Sequence, residues 1–224
     1  MFYIDSANVK SVKALMDHYA FKGVTTNPRL MAQEKRTDYL HHVKELLDTM
    51  GQSPLFIQLN GETSDRMVNE AYYIAKYSDI SRLIFKVPVT KTGYETMKIL
   101  NKRFTLAATG VVSLSQALMA FEAGAKYVII YVNRMLSSGL NPYDLIEHLS
   151  DLKTFKDYDY HLIGASFKSE EEINTSLKSG LDAVTIPPRL AESYFLNPIT
   201  EKSVKAFQKD FYNRYQVPSF NDKK

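Results

Sequence analysis

The chain is predicted to fold as a single (β/α)8 TIM barrel of the α/β class with an extra C-terminal helix, and three observations carry that expectation. Eight short apolar runs alternate with helical patterns along the sequence. The length, 224 residues, suits one barrel domain. No Ser/Gly linker, low-complexity tract or break in composition divides the chain, so 1–224 reads as one domain.

Taken in order, the candidate strands are Phe2–Ile4, Gly23–Thr25, Leu55–Leu59, Leu83–Pro88, Thr105–Thr109, Tyr127–Tyr131, His161–Ala165 and Ala183–Pro187. Parallel strands covered on both faces read as continuous apolar runs of this kind. Between them lie helical patterns with caps. After Ser64-Asp65, Met67, Ala71, Ile74 and Ala75 form one face. Ser113-x-x-Gln116 is a capping box whose helix turns Ala117, Leu118 and Phe121 inward and stops at Gly124. Asn141-Pro142 starts a helix with Leu145, Ile146 and Leu149 inside. Ser169-x-x-Glu172 starts another, which ends at Gly180. A last helix, about 199–215, shows Val204, Phe207 and Phe211 after Thr200. Its aromatic residues, Tyr212 and Tyr215 included, suit either its own barrel or a neighbouring subunit. An open doubly wound sheet is the competing architecture, but no glycine-rich phosphate loop follows the first strand.

Composition narrows the function. Apolar residues make up 45% of the chain, and no run reaches the length of a membrane span. Met1-Phe2-Tyr3-Ile4-Asp5 does not read as a signal peptide. The absence of cysteine excludes disulfides, thiolate chemistry and cysteine-ligated metals, and fits a cytoplasmic location. A net charge of +3, with both signs interspersed, argues against a nucleic-acid partner and is compatible with anionic small substrates. His41 and His42 are adjacent on a helix, and His18, His148 and His161 show no ligand spacing, so surface or capping roles are expected and no metal or other cofactor is. The methionines fall at helix-face positions and read as core filler.

The fourth run, Leu83-Ile84-Phe85-Lys86-Val87-Pro88-Val89-Thr90, places a lysine where only apolar side chains are expected. Lys86 shares the strand face of Ile84. Two readings stand: a lysine snorkelling to water from a strand end, or an amine kept neutral by burial and therefore nucleophilic toward carbonyls. An ordinary lysine pKa near 10.4 must fall by roughly three units, about 4 kcal/mol, for the neutral amine to be substantial at neutral pH.

Active sites of such barrels gather at the C-terminal ends of the strands. Here those ends deliver Asp5, Thr25-Thr26-Asn27, Gln58, Lys86, Thr109, Tyr131 with Asn133-Arg134, and Ser166 with Lys168. Hydroxyls, amides, a carboxylate and cations on one rim suit a polyhydroxylated carbonyl compound.

Val24-Thr25-Thr26-Asn27-Pro28, the Lys86 block, Tyr131-Val132-Asn133-Arg134 and Ala165-Ser166-Phe167-Lys168, in that order, resemble the small transaldolases, and most of all the fructose-6-phosphate aldolases. The resemblance runs from Phe2 into the C-terminal helix. It implies a metal-free class I aldolase on a (β/α)8 barrel, assembled as a homo-oligomer, a pentamer or decamer. By the same resemblance Lys86 forms the Schiff base and Asp5 assists proton transfer at the cleaved alcohol. Thr25 and Asn27 contact substrate hydroxyls, while Gln58, Thr109 and Tyr131 position a catalytic water. Arg134 with Ser166 grips phosphate, and Lys168 contributes long-range charge only. Sugar phosphates and small ketones or aldehydes are the implied substrates.

Each role has a structural competitor. Asp5 could cap a helix near Asn8, Asn27-Pro28 could be only a helix start, Tyr131 could be a core or interface tyrosine, and Arg134 could pair with Asp144 or Glu147. Three functions compete: an aldolase on fructose 6-phosphate, a transaldolase, or a silent sugar-phosphate-binding barrel. The resemblance implies Glu and Phe in transaldolases where Gln58 and Tyr131 stand here. Thr109-Gly110-Val111-Val112 is less aromatic than the aldolase pattern, and the loop 135–139 borders the phosphate site, so both bear on substrate preference.

Overall fold

The structure, a computed structural model, describes residues 1–215. It divides into two compact units, Met1–Leu190 and a segment from Ala191 onward. In the first unit eight parallel strands pair in sequence order and close into a barrel.

The chain opens with β1 (Phe2–Asp5), α1 (Val9–His18), β2 (Val24–Thr25) and two successive helices, α2 (Pro28–Gln33) and α3 (Tyr39–Thr49). It continues through β3 (Leu55–Gln58), α4 (Ser64–Lys76), β4 (Leu83–Pro88), α5 (Lys91–Leu100), β5 (Thr105–Val111) and α6 (Leu114–Glu122). The remaining barrel elements are β6 (Tyr127–Tyr131), a short α7 (Val132–Ser137), α8 (Pro142–Lys156), β7 (His161–Ala165), α9 (Glu170–Lys178) and β8 (Ala183–Ile186). Two helices complete the order, α10 (Pro188–Phe195) and α11 (Pro198–Arg214). The expected strands are all present, with β1 reaching Asp5 and β5 reaching Val111. The expected barrel and additional C-terminal helix are both found.

Alternation along the strands sorts the side chains into two cores. Tyr3, Phe56, Ile84, Ala107, Ile129, Ile163, Ala165 and Ala183 fill the barrel interior, with Tyr3 and Tyr127 each edge-on to Phe56. Phe85, one residue from Ile84, points the other way and meets Phe104 edge-on, a burial that stabilises by about 1.5–3 kcal/mol. Helix starts are set by side chains that accept the free amide hydrogens of the first turn: Asn8 for α1, Asn27 for α2, Thr90 for α5 and Ser169 for α9.

Some expectations need correction. On α6, Ala117 and Ala120 are buried, whereas Leu118 and Phe121 are only half-buried. Met50, Met67, Met97 and Met135 are core residues, but Met119 is exposed. His42 is neither a surface nor a capping residue: it is buried and its Nε2 donates to the Ala7 carbonyl at 2.7 Å. On α11, Val204, Phe207, Phe211, Tyr212 and Tyr215 are exposed.

Candidate active site

Lateral register places the polar layer. Asp5 stands beside Thr25, Gln58 beside Lys86, and Lys86 beside Ala107. These positions lie one alternation above the apolar interior, so their side chains enter the C-terminal mouth. Ala107 leaves space next to the lysine that a larger neighbour would fill. A cavity of about 850 Å³ opens there, lined by Asp5, Thr25, Asn27, Gln58, Lys86, Tyr131, Arg134 and Ser166 among others. Thr109, expected at the same rim, is not among the lining residues; its Oγ1 donates to the Tyr131 phenol oxygen at 3.1 Å.

Lys86 is 4% exposed, and its Nζ donates to the backbone carbonyl of Thr26. Burial drives its pKa down to about 8, against the opposing pull of the Asp5 carboxylate. The bond to Thr26 aims the amine toward the end of β2. Thr26 itself is fixed, because its hydroxyl donates to the Phe56 carbonyl at 3.0 Å.

Asp5 is raised above the usual carboxylate range by loss of water, opposed first by Lys86, then by the Thr25 hydrogen bond and by Lys168. Thr25 Oγ1 donates to Asp5 Oδ1 at 3.1 Å and lies 2.6 Å from Thr185 Oγ1. A hydroxyl carries one proton, so when Thr25 gives its proton to Asp5, Thr185 must donate to Thr25. The three groups form a directed relay from the barrel interior to the carboxylate. A carboxyl raised by burial and held in one orientation accepts a proton from an alcohol more readily than an ordinary carboxylate does.

The structural competitors separate. The cap of α1 is Asn8, whose Oδ1 accepts from Ser11 at 2.9 Å, which leaves Asp5 to the cavity. Asn27 does cap α2 through Oδ1, at 3.0 Å from the Leu30 nitrogen, and lines the cavity as well. Arg134 forms no ion pair with Asp144 or Glu147 among the described residues; its guanidinium lies 4.9 Å above the Tyr131 ring. Glu147 instead accepts from Ser179 at 3.1 Å. Ser166 holds φ at +70°, a left-handed conformation uncommon outside glycine, at the turn leaving β7. Lys168 lines the same cavity, and its positive charge bears on Asp5.

Sequence reading missed Thr185, Arg29 and Arg189, which all line the cavity. Thr185 is buried inside Ala183-Val184-Thr185-Ile186 and hydrogen-bonds within the barrel. Its only signal was a hydroxyl on the same face as Ala183. Arg29 and Arg189 carried none, because an arginine in the first turn of a helix reads as surface. Among the described residues no group of three or more His, Cys, Asp or Glu side chains is placed to hold a metal ion.

Residues 2–222 match the family described as transaldolase/fructose-6-phosphate aldolase. Two curated relatives, each a "Probable transaldolase" of Streptococcus pyogenes, are similar throughout. Those from serotype M5 (strain Manfredo) and serotype M49 (strain NZ131) are both 33% identical over 211 residues, 94% of this chain and 97% of theirs. Among solved structures, an inosine 5'-monophosphate dehydrogenase from Legionella pneumophila superposes with a TM-score of 0.58 at 16% identity. That alignment covers 84% of this chain and 58% of the dehydrogenase. The native KDPGal structure gives 0.58 at 12% identity, covering 83% of this chain and 80% of the other. At these identities the two structures share the fold alone with this chain.

Proposed function

The chain belongs to the transaldolase/fructose-6-phosphate aldolase family, whose chemistry is that of a Schiff-base aldolase or transaldolase, and we propose that it cleaves and forms fructose 6-phosphate through an imine on Lys86. The neutral amine attacks the ketose carbonyl at C2, and loss of water gives an iminium. Asp5 takes the proton of the C4 hydroxyl as the C3–C4 bond breaks, and glyceraldehyde 3-phosphate leaves. The iminium accepts the electron pair as an enamine. Protonation at C3 and hydrolysis then release dihydroxyacetone and free the amine. Thr25 and Asn27 hold substrate hydroxyls. Arg134 and Ser166 hold the phosphate, the guanidinium by charge-assisted hydrogen bonds.

The observation that carries release over transfer is the Tyr131 phenol. Thr109 donates to its oxygen, so the phenol keeps its own proton for another partner. A water held by that proton, with Gln58 as a second contact, is suited to protonate the enamine and hydrolyse the imine. The second reading is transaldolase, which passes the three-carbon unit to an acceptor aldehyde; the names of the relatives favour it. The test is Tyr131→Phe. It should slow net cleavage of fructose 6-phosphate and raise the share of three-carbon units passed to erythrose 4-phosphate, read as sedoheptulose 7-phosphate. A wild type that already transfers far more than it releases, or an unmoved ratio in the variant, makes transaldolase the better assignment.

We further propose a cytoplasmic homo-oligomer, a pentamer or decamer. Exposed Phe207, Phe211 and Tyr212 on α11 support the oligomer. Among the described residues no helix is long and apolar enough to cross a membrane.

A further inference from the structure

Arg134 and Ser166, proposed above to hold the phosphate, stand on different segments, α7 after β6 and the turn after β7. The two strands are neighbours, with Tyr131 beside Ala165 at the top of the pair. The segment after β7 is anchored by buried Phe167, with Ser166 at φ +70° beside it. Helix α7 has only six residues, and Tyr131 at its start provides no side-chain cap. Its buried Val132 and Met135 seat it on the barrel by apolar contact, which has no preferred direction.

One carboxylate joins the two segments. Ser169-x-x-Glu172 opens α9, and in a capping box the fourth residue returns to the backbone N–H of the first. Half of that box is present: the Glu172 N–H donates to Ser169 Oγ at 3.2 Å. The Glu172 side chain goes elsewhere. Its Oε2 accepts from the Lys168 N–H at 2.7 Å, and its Oε1 accepts from Asn133 Nδ2 at 2.8 Å. The second bond spans 39 positions of sequence and reaches the first turn of α7. Among the described residues it is the one side-chain hydrogen bond that α7 makes. Glu170 and Glu171, on the same turn, are exposed, whereas Glu172 is half-buried. Neither Asn133 nor Glu172 lines the cavity.

Resting on the reading of Arg134 and Ser166 as the phosphate grip, we propose that Glu172 and Asn133 are positioning residues that lock the two halves of that grip together. The lock is in place before a substrate arrives. Without it the phosphate must itself order a guanidinium and a hydroxyl carried on separate segments, and that ordering subtracts from affinity. A carboxylate suits the task because its two oxygens accept from both segments at once. Loss of the lock weakens use of phosphorylated aldehydes and leaves the imine chemistry on Lys86 in place.

The test is addition of dihydroxyacetone to glyceraldehyde 3-phosphate and to glyceraldehyde, catalysed by the full chain. Asn133→Ala breaks only the bond between the segments. In it the phosphorylated-to-unphosphorylated ratio of kcat/KM should fall about three- to tenfold. The fall should come from a higher KM for glyceraldehyde 3-phosphate, with kcat little changed. Glu172→Ala should lower the ratio at least as far. The double variant should go no further than Glu172→Ala, since the bond between the segments is then already gone. Glu172→Gln should recover most of the ratio, its amide oxygen accepting from Lys168 while its Nε2 donates to an Asn133 amide turned over. Both rates come from one preparation, so the ratio is independent of the fraction folded. If Arg134→Ala lowers the ratio and Asn133→Ala does not, whether both rates hold or fall together, this proposal alone is overturned. A ratio unmoved in Arg134→Ala overturns the phosphate reading and this proposal with it. No product from either aldehyde overturns the aldolase reading as well.

Discussion

A lysine 4% exposed within an apolar strand costs stability whenever it is charged, and that cost favours the neutral amine that the proposed chemistry needs. With a folded pKa of about 8 and an ordinary value of 10.5, the folded protein binds fewer protons than the unfolded chain between those limits. Stability contributed by this group therefore rises with pH from about 8 toward 10.5 and is flat below. Lys86→Met should accordingly be inactive yet melt higher than wild type near neutral pH. Its advantage should shrink as pH climbs through that window, as scanning calorimetry would show. The rate of imine formation should increase through pH 8 as the neutral fraction grows. A second residue-scale expectation concerns the relay. Thr185→Val keeps the shape but removes the hydroxyl 2.6 Å from Thr25, which frees Thr25 to turn from Asp5. We expect kcat to fall about tenfold, with KM little changed and the acidic limb of the pH profile displaced, while Thr185→Ser recovers most of the rate. A purely structural role would lower the melting temperature without moving that limb. Residues such as Lys86, Asp5 and Tyr131 were legible because their types are out of place at the end of an apolar run. Thr185 was not, because threonine is at home in a strand and its value lies in a contact 160 positions away.

The elements hold these side chains through a few close approaches. α5 begins directly beyond β4, and a Cβ on Gly93 would lie 1.8 Å from the Pro88 carbonyl oxygen. Gly93→Ala must therefore push α5 away from the strand that carries Lys86. We expect a loss of about 1–3 kcal/mol, roughly 2–4 °C in melting temperature per kcal/mol, together with reduced kcat. Unchanged melting and activity would mean that the helix start shifts without cost. On β5 the register slips between Thr109 and Val111, with Gly110 at φ +79°. A glycine accommodates that bulge, and Thr109 remains aimed at Tyr131. Strand positions were readable because parallel strands buried on both faces are continuous apolar runs. The bulge was not, since it depends on pairing with β6. The helix α7 was equally hidden: Tyr131 provides no side-chain cap, so no start signal precedes Val132.

At the scale of the whole molecule, one closed barrel brings groups from β1 to β8 to a single mouth although they are spread from Asp5 to Thr185 in sequence. Closure explains why the rim could be read from strand ends while distances across it could not. Which residue ends each strand is local, but which strands face each other follows only from eight closing in order. That is also why Arg29 and Arg189 joined Arg134 and Lys168 at the mouth only in the folded chain. All of this chemistry requires that the Lys86 amine, among the lysines of the chain, is the one that meets the carbonyl. The direct measurement is borohydride reduction in the presence of dihydroxyacetone or fructose 6-phosphate, followed by peptide mapping. A reduced three-carbon adduct on Lys86, with irreversible loss of activity, is the expected result; an adduct on another lysine, or none, contradicts the Schiff-base account.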